Sequence, residues 1–276
     1  MFFSRLTHLR PRVARDCAFS TARLPRVVIL DATDATVEQR ALGDTAEVVA
    51  AGARDAACRD VSDQMLGSAD VLGLWHTVRL DGALLARARR CRLVVRFGVG
   101  FDNVDARAAG ALGVPVVNVP NYGTEEVADA ALSHVLNCYR GTAALAARDA
   151  VRGPDAIAAA AAAAVGAGGA RRVRGEVLGL VGLGRIGTAV ALRAAPFGFR
   201  VAFFDPYVAD GAEKALGVER VDTLHDLLAR ADCVSLHCPA AGNEHLLDAA
   251  ALAALRPHAF VVNTARGELI DERAPC

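Results

Sequence analysis

The chain has no excess of charge of either sign. Thirty-one Lys and Arg balance thirty-one Asp and Glu, so no global field draws it to nucleic acid or to an anionic lipid surface. No apolar run approaches the roughly 18 residues that a membrane-spanning helix needs. The seven cysteines (Cys17, Cys58, Cys91, Cys138, Cys233, Cys238 and Cys276) are odd in number, scattered and without CxxC spacing. They fit a reducing compartment and leave no thiolate metal cage, so no metal site is expected. What remains is 276 residues, 53% hydrophobic and 22% charged, which suits about two globular domains, each with its own core, rather than a disordered chain.

Residues 1–26 differ from the rest. Arg5, Arg10, Arg12, Arg15, Arg23 and Arg26 stand against a single acid, Asp16. This is the composition of a mitochondrial transit peptide, and a disordered extension is the alternative. Folding is expected to begin near Val27. From there residues 27–30, 46–50, 71–74, 93–97 and 114–119 read as buried strands, punctuated by Gly, Asp or Pro, and predict a compact parallel-sheet domain over 27–122. A long helical pattern follows (Val127, Ala131, Leu132, Val135, Leu136, Tyr139), with Thr124 as its expected N-cap and Glu125 and Glu126 in its first turn. It is expected to link this domain to a second one over 123–276.

The segment 156–170 is alanine-rich and includes an unbroken run of alanine over 158–164. Alanine favours helix, but nothing gives this stretch an apolar and a polar face, so it is expected to be a tolerant connection without a function. Beyond it, strands are expected at 177–181, 201–204, 233–236 and 259–262, with a short one near 218–221 and a helix over 186–197. A complete dinucleotide domain has about six strands. The strand at 259–262 is therefore expected to leave an unpaired edge, which invites pairing or aggregation.

The most informative feature follows the apolar run ending at Val181. Gly182-Leu183-Gly184-Arg185-Ile186-Gly187 lies between that run and an amphipathic stretch, and Asp205 closes the next apolar run. Gly182 permits a tight turn, Gly184 lets the backbone approach a pyrophosphate, and Gly187 lets the helix pack against its strand. The helix then offers free N–H groups and about half a positive charge to phosphates. Asp205 can accept both ribose hydroxyls of NAD and would repel the 2′-phosphate of NADP. NAD is the expected cofactor.

Further segments carry a resemblance to a known family. Arg96-Phe97-Gly98-Val99-Gly100-Phe101-Asp102-Asn103-Val104-Asp105, Asn118-Val119-Pro120, Glu125-Glu126-Val127-Ala128-Asp129, the glycine motif, Phe204-Asp205-Pro206-Tyr207 and Asn263-Thr264-Ala265-Arg266-Gly267 resemble, in order, the signatures of D-2-hydroxyacid dehydrogenases. Within that family, Leu30-Asp31 through Glu38, Trp75-His76-Thr77 and the stretch from Asp205 to Gly217 are most similar to the C-terminal-binding proteins, NAD-dependent transcriptional corepressors. The resemblance implies a flavodoxin-like substrate or peptide-binding domain ahead of an NAD-binding Rossmann domain, both α/β. It implies that Gly98, Val99 and Gly100 face the interdomain cleft, with Val99 also near the cofactor. Backbone N–H groups of that loop could form a nest for a substrate carboxylate, or the loop could be a structural turn.

By position and resemblance, Cys238, Pro239, Thr264 and Ala265 line the cofactor. Arg266 is the catalytic candidate: a guanidinium there can grip the carboxylate of a 2-oxo acid through two N–H bonds and polarise its ketone. His237 is expected to pack or hydrogen-bond near the crevice rather than act as an acid. The family's proton donor is a histidine tuned by a glutamate, both downstream of the arginine motif. Glu268 and Glu272 do not match that glutamate, and no histidine follows His258. The chain is thus expected to resemble a C-terminally truncated member with little turnover of its own, since loss of general acid catalysis costs about 10² to 10⁴ in rate. Two functions stay open: hydride transfer between NAD(H) and a small 2-hydroxy or 2-oxo acid, or an NAD-regulated corepressor scaffold that binds short peptide motifs of transcription factors. Both imply a homodimer in the cytoplasm or nucleus, without direct contact to nucleic acid.

Overall fold

The computed structural model describes residues 23–142 and 170–274. The N-terminal extension up to residue 22 and the alanine-rich stretch up to residue 169 lie outside the described residues. The chain divides into two compact units, Met1–Tyr122 and Gly123–Cys276.

In the first unit, short β-branched runs form strands β1 (Arg26–Ile29), β2 (Glu47–Ala50), β3 (Val71–Leu74), β4 (Leu93–Arg96) and β5 (Val116–Asn118). They pair in parallel in the order β2-β1-β3-β4-β5, the flavodoxin-like order with its reversal between β1 and β3. Helices α1 (Thr36–Leu42), α2 (Asp63–Ser68), α3 (Gly82–Arg87) and α4 (Ala106–Ala111) alternate with them. Ser62, Asp81 and Asp105 fix where α2, α3 and α4 begin, each side chain accepting the N–H of the residue three positions on, which satisfies an otherwise orphaned donor. One core gathers Val28, Leu30, Leu72, Leu74 and Val94 with Leu66, Leu84 and Leu85 of the helices, and a smaller one holds Val27, Ile29 and Val71. The sheet is thus covered on both faces, as a parallel sheet requires. The expectation of uniformly buried strands fails at β2 and β5. Both are edge strands and half-exposed, because an edge strand has a neighbour on one side only.

In the second unit, β6 (Val177–Val181), β7 (Arg200–Phe204), β8 (Glu219–Arg220), β9 (Cys233–Leu236) and β10 (Phe260–Asn263) form a parallel sheet in the order β10-β9-β6-β7-β8. Counted from β6, this is the dinucleotide-binding order 3-2-1-4-5, with its reversal between β6 and β9. Among the described residues β10 pairs with β9 alone and is an edge. Helix α5 (Thr124–Arg140) belongs to this unit and buries Ala128, Ala131, Leu132, Val135 and Tyr139 against it. Its N-cap is Gly123 rather than Thr124, which is already the first helical residue. The backbone turns into the helix one position before the residue whose side chain suggested the cap. Helix α6 (Arg185–Ala194), continued by a 3₁₀ turn over Ala195–Phe197, packs Ala189, Val190 and Ala194 into the same core. Helices α7 (Ala212–Leu216), α8 (Leu224–Arg230) and α9 (Ala249–Ala253) complete the described fold.

One device sets the strand register in both units. Asp70, just before β3, donates its N–H to the Arg26 carbonyl at 2.9 Å and accepts the Arg26 N–H on its carboxylate at 2.8 Å. Asp232, just before β9, does the same with Val177 at the same distances. Each aspartate also holds an arginine that lies ahead of the next strand: Arg90 at 3.3 Å and Arg256 at 2.6 Å. Burial alone would raise the Asp70 carboxyl. The Arg26 N–H and the Arg23 and Arg90 guanidinia outweigh it and hold the group below the ordinary carboxylate value. A group depressed in the folded state contributes stability above its unfolded pKa and loses it as pH falls through the folded one. Asp70→Asn should therefore destabilise the first unit at neutral pH by about 1–3 kcal/mol, with the penalty vanishing well below about pH 4, as measured by chemical denaturation across pH. Asp232→Ala should cost the second unit a similar amount at neutral pH.

Candidate functional site

Val181, Phe204, Leu236 and Asn263 are register partners across the second sheet: Val181 with both Phe204 and Leu236, and Leu236 with Asn263. Four parallel strands thus end at one level, and the loops after them share the carboxyl edge of the sheet, at the reversal where α/β folds bind ligands. The sequence-predicted cofactor residues of this unit lie at that edge: Val181 ends β6, Gly182 to Gly184 form the turn after it, Arg185 to Gly187 open α6, Asp205 follows β7, Cys238 and Pro239 follow β9, and Thr264 and Ala265 follow β10.

The glycine turn is shaped by close approach. Gly182 has φ +94°, and a Cβ there would lie 3.0 Å from the Cys238 nitrogen and the His237 carbonyl carbon. A Cβ on Gly187 would collide with the Gly182 carbonyl oxygen. Gly184, the N-cap of α6, is different: it is exposed, and a Cβ there would meet nothing within 4 Å. Gly184, having no side chain, contributes no cap to α6. The space over Gly184 is open, floored by backbone and facing the positive end of a ten-residue helix, a donor set that suits a pyrophosphate. Asp205 reaches into the same turn. One of its carboxylate oxygens accepts the Leu183 N–H at 2.8 Å and the other the Tyr207 N–H at 2.9 Å. Its orientation is thus set by backbone on both sides. The Thr264 hydroxyl is buried without a hydrogen-bond partner among the described residues. These residues fit a dinucleotide.

His237 donates its backbone N–H to the Val181 carbonyl at 2.8 Å, and its Nε2 is buried without a partner among the described residues. Burial pushes its pKa down to about 4, because desolvation penalises the imidazolium. It is neutral near pH 7, in keeping with a packing role. Arg266 is half-buried behind β10, where Asn263 braces the turn: its side-chain amide donates to the Arg266 carbonyl at 2.7 Å and its oxygen accepts the Ala265 N–H at 3.0 Å. One terminal nitrogen of Arg266 donates to the Ala265 carbonyl at 2.8 Å. Among the described residues no cluster of His, Cys, Asp and Glu could hold a metal ion, and no helix is long and apolar enough to cross a membrane.

Gly98, Val99 and Gly100 belong to the first unit, where they follow β4. The Asn118 side chain donates to the Val99 carbonyl at 2.7 Å, and the Val119 N–H to the Gly98 carbonyl at 3.1 Å. The Gly98 N–H goes to the Arg96 carbonyl at 2.8 Å, so of the three donors expected to form a nest, this one is engaged. Two features went unassigned in the sequence. The Arg96 guanidinium folds over Gly98, occupying the place of a Cβ, and its Nε is buried without a partner among the described residues. At the reversal between β1 and β3, Asp31 accepts the N–H groups of Trp75 at 2.8 Å and Thr77 at 3.0 Å, while Asn103 donates to the Trp75 and Val78 carbonyls. Those backbone donors are taken. Arg96 lies two residues before Gly98 in the quoted motif, and that adjacency was the available signal.

Residues 132–275 match the family model described as "D-isomer specific 2-hydroxyacid dehydrogenase, NAD binding domain". The chain is 35% identical over 253 residues to C-terminal-binding protein 1 of Caenorhabditis elegans, covering 90% of this chain and 34% of that protein. It is 38% identical over 252 residues to D-3-phosphoglycerate dehydrogenase of Mycobacterium bovis, covering 91% and 45%. The chain therefore spans less than half the length of these relatives. Among solved structures, the holo form of Rhodotorula graminis D-mandelate dehydrogenase is similar with a TM-score of 0.77 and 29% identity, over 91% of this chain and 76% of that one. D-lactate dehydrogenase from Aquifex aeolicus complexed with NAD and lactic acid has a TM-score of 0.76 and 25% identity, over 89% and 70%. With its glycine turn, its strand order and this match over more than half its length, the chain belongs to the D-isomer-specific 2-hydroxyacid dehydrogenase family and carries that family's NAD-binding domain.

Proposed function

We propose that the chain binds NAD(H) on the carboxyl edge of the second sheet and serves hydride transfer between that cofactor and a small 2-hydroxy or 2-oxo acid. The observation that supports this is the alignment of Val181, Phe204, Leu236 and Asn263, which brings the glycine turn, the Asp205 carboxylate and Arg266 to one edge. The N–H groups at the start of α6 would hold the pyrophosphate, Asp205 the adenosine ribose, and the loops at Cys238, Pro239, Thr264 and Ala265 the remainder. Bound there, the cofactor supplies the hydride. Arg266 would grip the acid's carboxylate and draw charge from the ketone. His237 is not the proton donor in this reading, since a buried imidazole with a pKa of about 4 holds no proton to give at neutral pH. The site forms by pairing within one chain, and a homodimer in the cytoplasm or nucleus, as the resemblance implies, is compatible with it.

A surface depression suggests a second use of the same fold. A space of about 700 Å³ in the first unit is lined by residues that include Thr33, Asp34, Thr36, Gln39, Arg40 and Val49, beside the edge strand β2. A short peptide of a transcription factor, the partner implied by the resemblance to corepressors, would lie there on this reading. Titrating labelled short peptides separates the two: Arg40→Glu should weaken peptide binding several-fold, on the order of a lost charged hydrogen bond, and leave cofactor affinity unchanged.

Cofactor binding is tested by a pair of alanines. Gly184→Ala should leave thermal stability nearly unchanged and lower NAD(H) affinity, because its methyl enters the pyrophosphate space. Gly187→Ala should destabilise the second unit, because it strikes backbone within the fold. Asp205→Ala should narrow the preference for NAD over NADP in isothermal titration; equal affinities in the parent chain would sink the Asp205 role. Substrate binding is tested on the NADH-loaded chain, following cofactor fluorescence as pyruvate or glyoxylate is added. Arg266→Met should weaken that response by about 1.5–3 kcal/mol, the worth of hydrogen bonds to a charged group, and leave NADH affinity intact.

A further inference from the structure

The segment after Asp205 is held by a residue that neither the glycine motif nor the arginine motif includes. Arg220 lies on β8 as the register partner of Phe203, and its guanidinium sits 5.0 Å from the centre of that buried ring. Its Nη2 donates to the carbonyls of Val208 at 3.1 Å and Ala209 at 2.8 Å, its Nη1 reaches the Asp205 carbonyl at 3.5 Å, and its Nε reaches the Glu213 carboxylate at 3.3 Å. Four of its five N–H directions are therefore committed. Glu213 in turn accepts the Gly211 N–H at 3.2 Å. The loop from Asp205 to Gly211 is closed on itself by one half-buried ion pair.

Resting on the NAD reading of Asp205, we propose that Arg220 is a positioning residue for cofactor choice: it fixes the backbone that aims the Asp205 carboxylate, and it does so with a guanidinium already occupied. The first effect favours a ribose with two free hydroxyls. The second withholds the cation that a 2′-phosphate would need beside that carboxylate. Lysine cannot substitute, because a single ammonium does not span three carbonyls and a carboxylate in the fixed fork of a guanidinium. The stacking on Phe203 and the three carbonyl bonds make the clamp a property of the folded sheet.

The test measures NAD and NADP affinities by isothermal titration on the chain carrying Arg220→Met, Arg220→Lys, Asp205→Ala and the Asp205→Ala/Arg220→Met pair, with thermal unfolding alongside. Arg220→Met should weaken NAD about tenfold and change NADP less than about twofold, collapsing their ratio toward that of Asp205→Ala. Arg220→Lys should follow Arg220→Met rather than the parent. In the Asp205→Ala background, Arg220→Met should have no further effect on the ratio, as two residues acting through one contact require. Should Arg220→Met fold poorly, Glu213→Gln loosens the same clamp without emptying it and should move the ratio the same way by less. An equal loss of NAD and NADP affinity, or additive effects in the double variant, would overturn the proposal and leave Arg220 merely structural while Asp205 kept its role. An Asp205→Ala variant with an unchanged NAD preference would overturn the ribose reading itself, and the Arg220 proposal with it.

Discussion

The site depends on register, and register is set at the opposite end of the sheet from the site. Asp232 grips the first residue of β6 by a reciprocal pair of bonds from the first position before β9. In a parallel sheet a shift of one residue would turn every side chain to the other face. Holding β6 and β9 at their starts makes their ends coincide at Val181 and Leu236. Only then does the turn at Gly182 meet the chain at His237 and Cys238 closely enough to leave no room for a Cβ. Asp70 does the same between β1 and β3. In both units the clamped pair is the one at which strand order reverses, where no crossover helix joins consecutive neighbours to set the register.

From this constraint the chemistry of the edge follows. A parallel sheet brings its loops together at the carboxyl ends, and each loop here contributes a different property: backbone donors from the glycine turn, a carboxylate from β7, an uncharged buried imidazole from β9 and a guanidinium after β10. The charges are separated along the edge by the spacing of the strands, with Asp205 and Arg266 on opposite sides of the glycine turn. An extended ligand with phosphates near its middle, a diol at one end and a carboxylate-bearing partner at the other matches that order. His237 matters by what it withholds. Kept neutral by burial, it adds no positive charge to this edge.

Much of this was legible in the sequence because it is local. Strand positions followed from β-branched runs with no rival helical period, and the glycine motif sits where strand, turn and helix leave only one arrangement. The departures occur where geometry is not local. Nothing in the sequence of Glu47–Ala50 distinguishes an edge strand from a central one, because burial depends on which strands become neighbours. Thr124 looked like a cap because it precedes two glutamates, yet the turn into α5 occurs at Gly123. Arg96 stood in a quoted motif without a role, because its side chain folds back over Gly98 only once β4 and its loop have formed. Arg220 is the clearest case: one of 31 basic residues, it lies fifteen positions from Asp205 and gains its meaning from pairing β8 with β7.

That distance in sequence bears on how selectivity is built. A carboxylate selects a ribose only if its position is fixed more tightly than the length of the phosphate it must exclude. If Asp205 reads the ribose as proposed, a loop free to move would let it swing aside and a 2′-phosphate slip into water. The backbone N–H groups of Leu183 and Tyr207 fix the carboxylate locally, but Tyr207 itself is on the exposed loop, at 91% exposure. Rigidity must therefore come from beyond the loop. The guanidinium on β8 meets this need because it is anchored to the sheet on one side and to the loop carbonyls on the other. A selective site on a short exposed loop thus depends on a contact several residues outside the motif that names it.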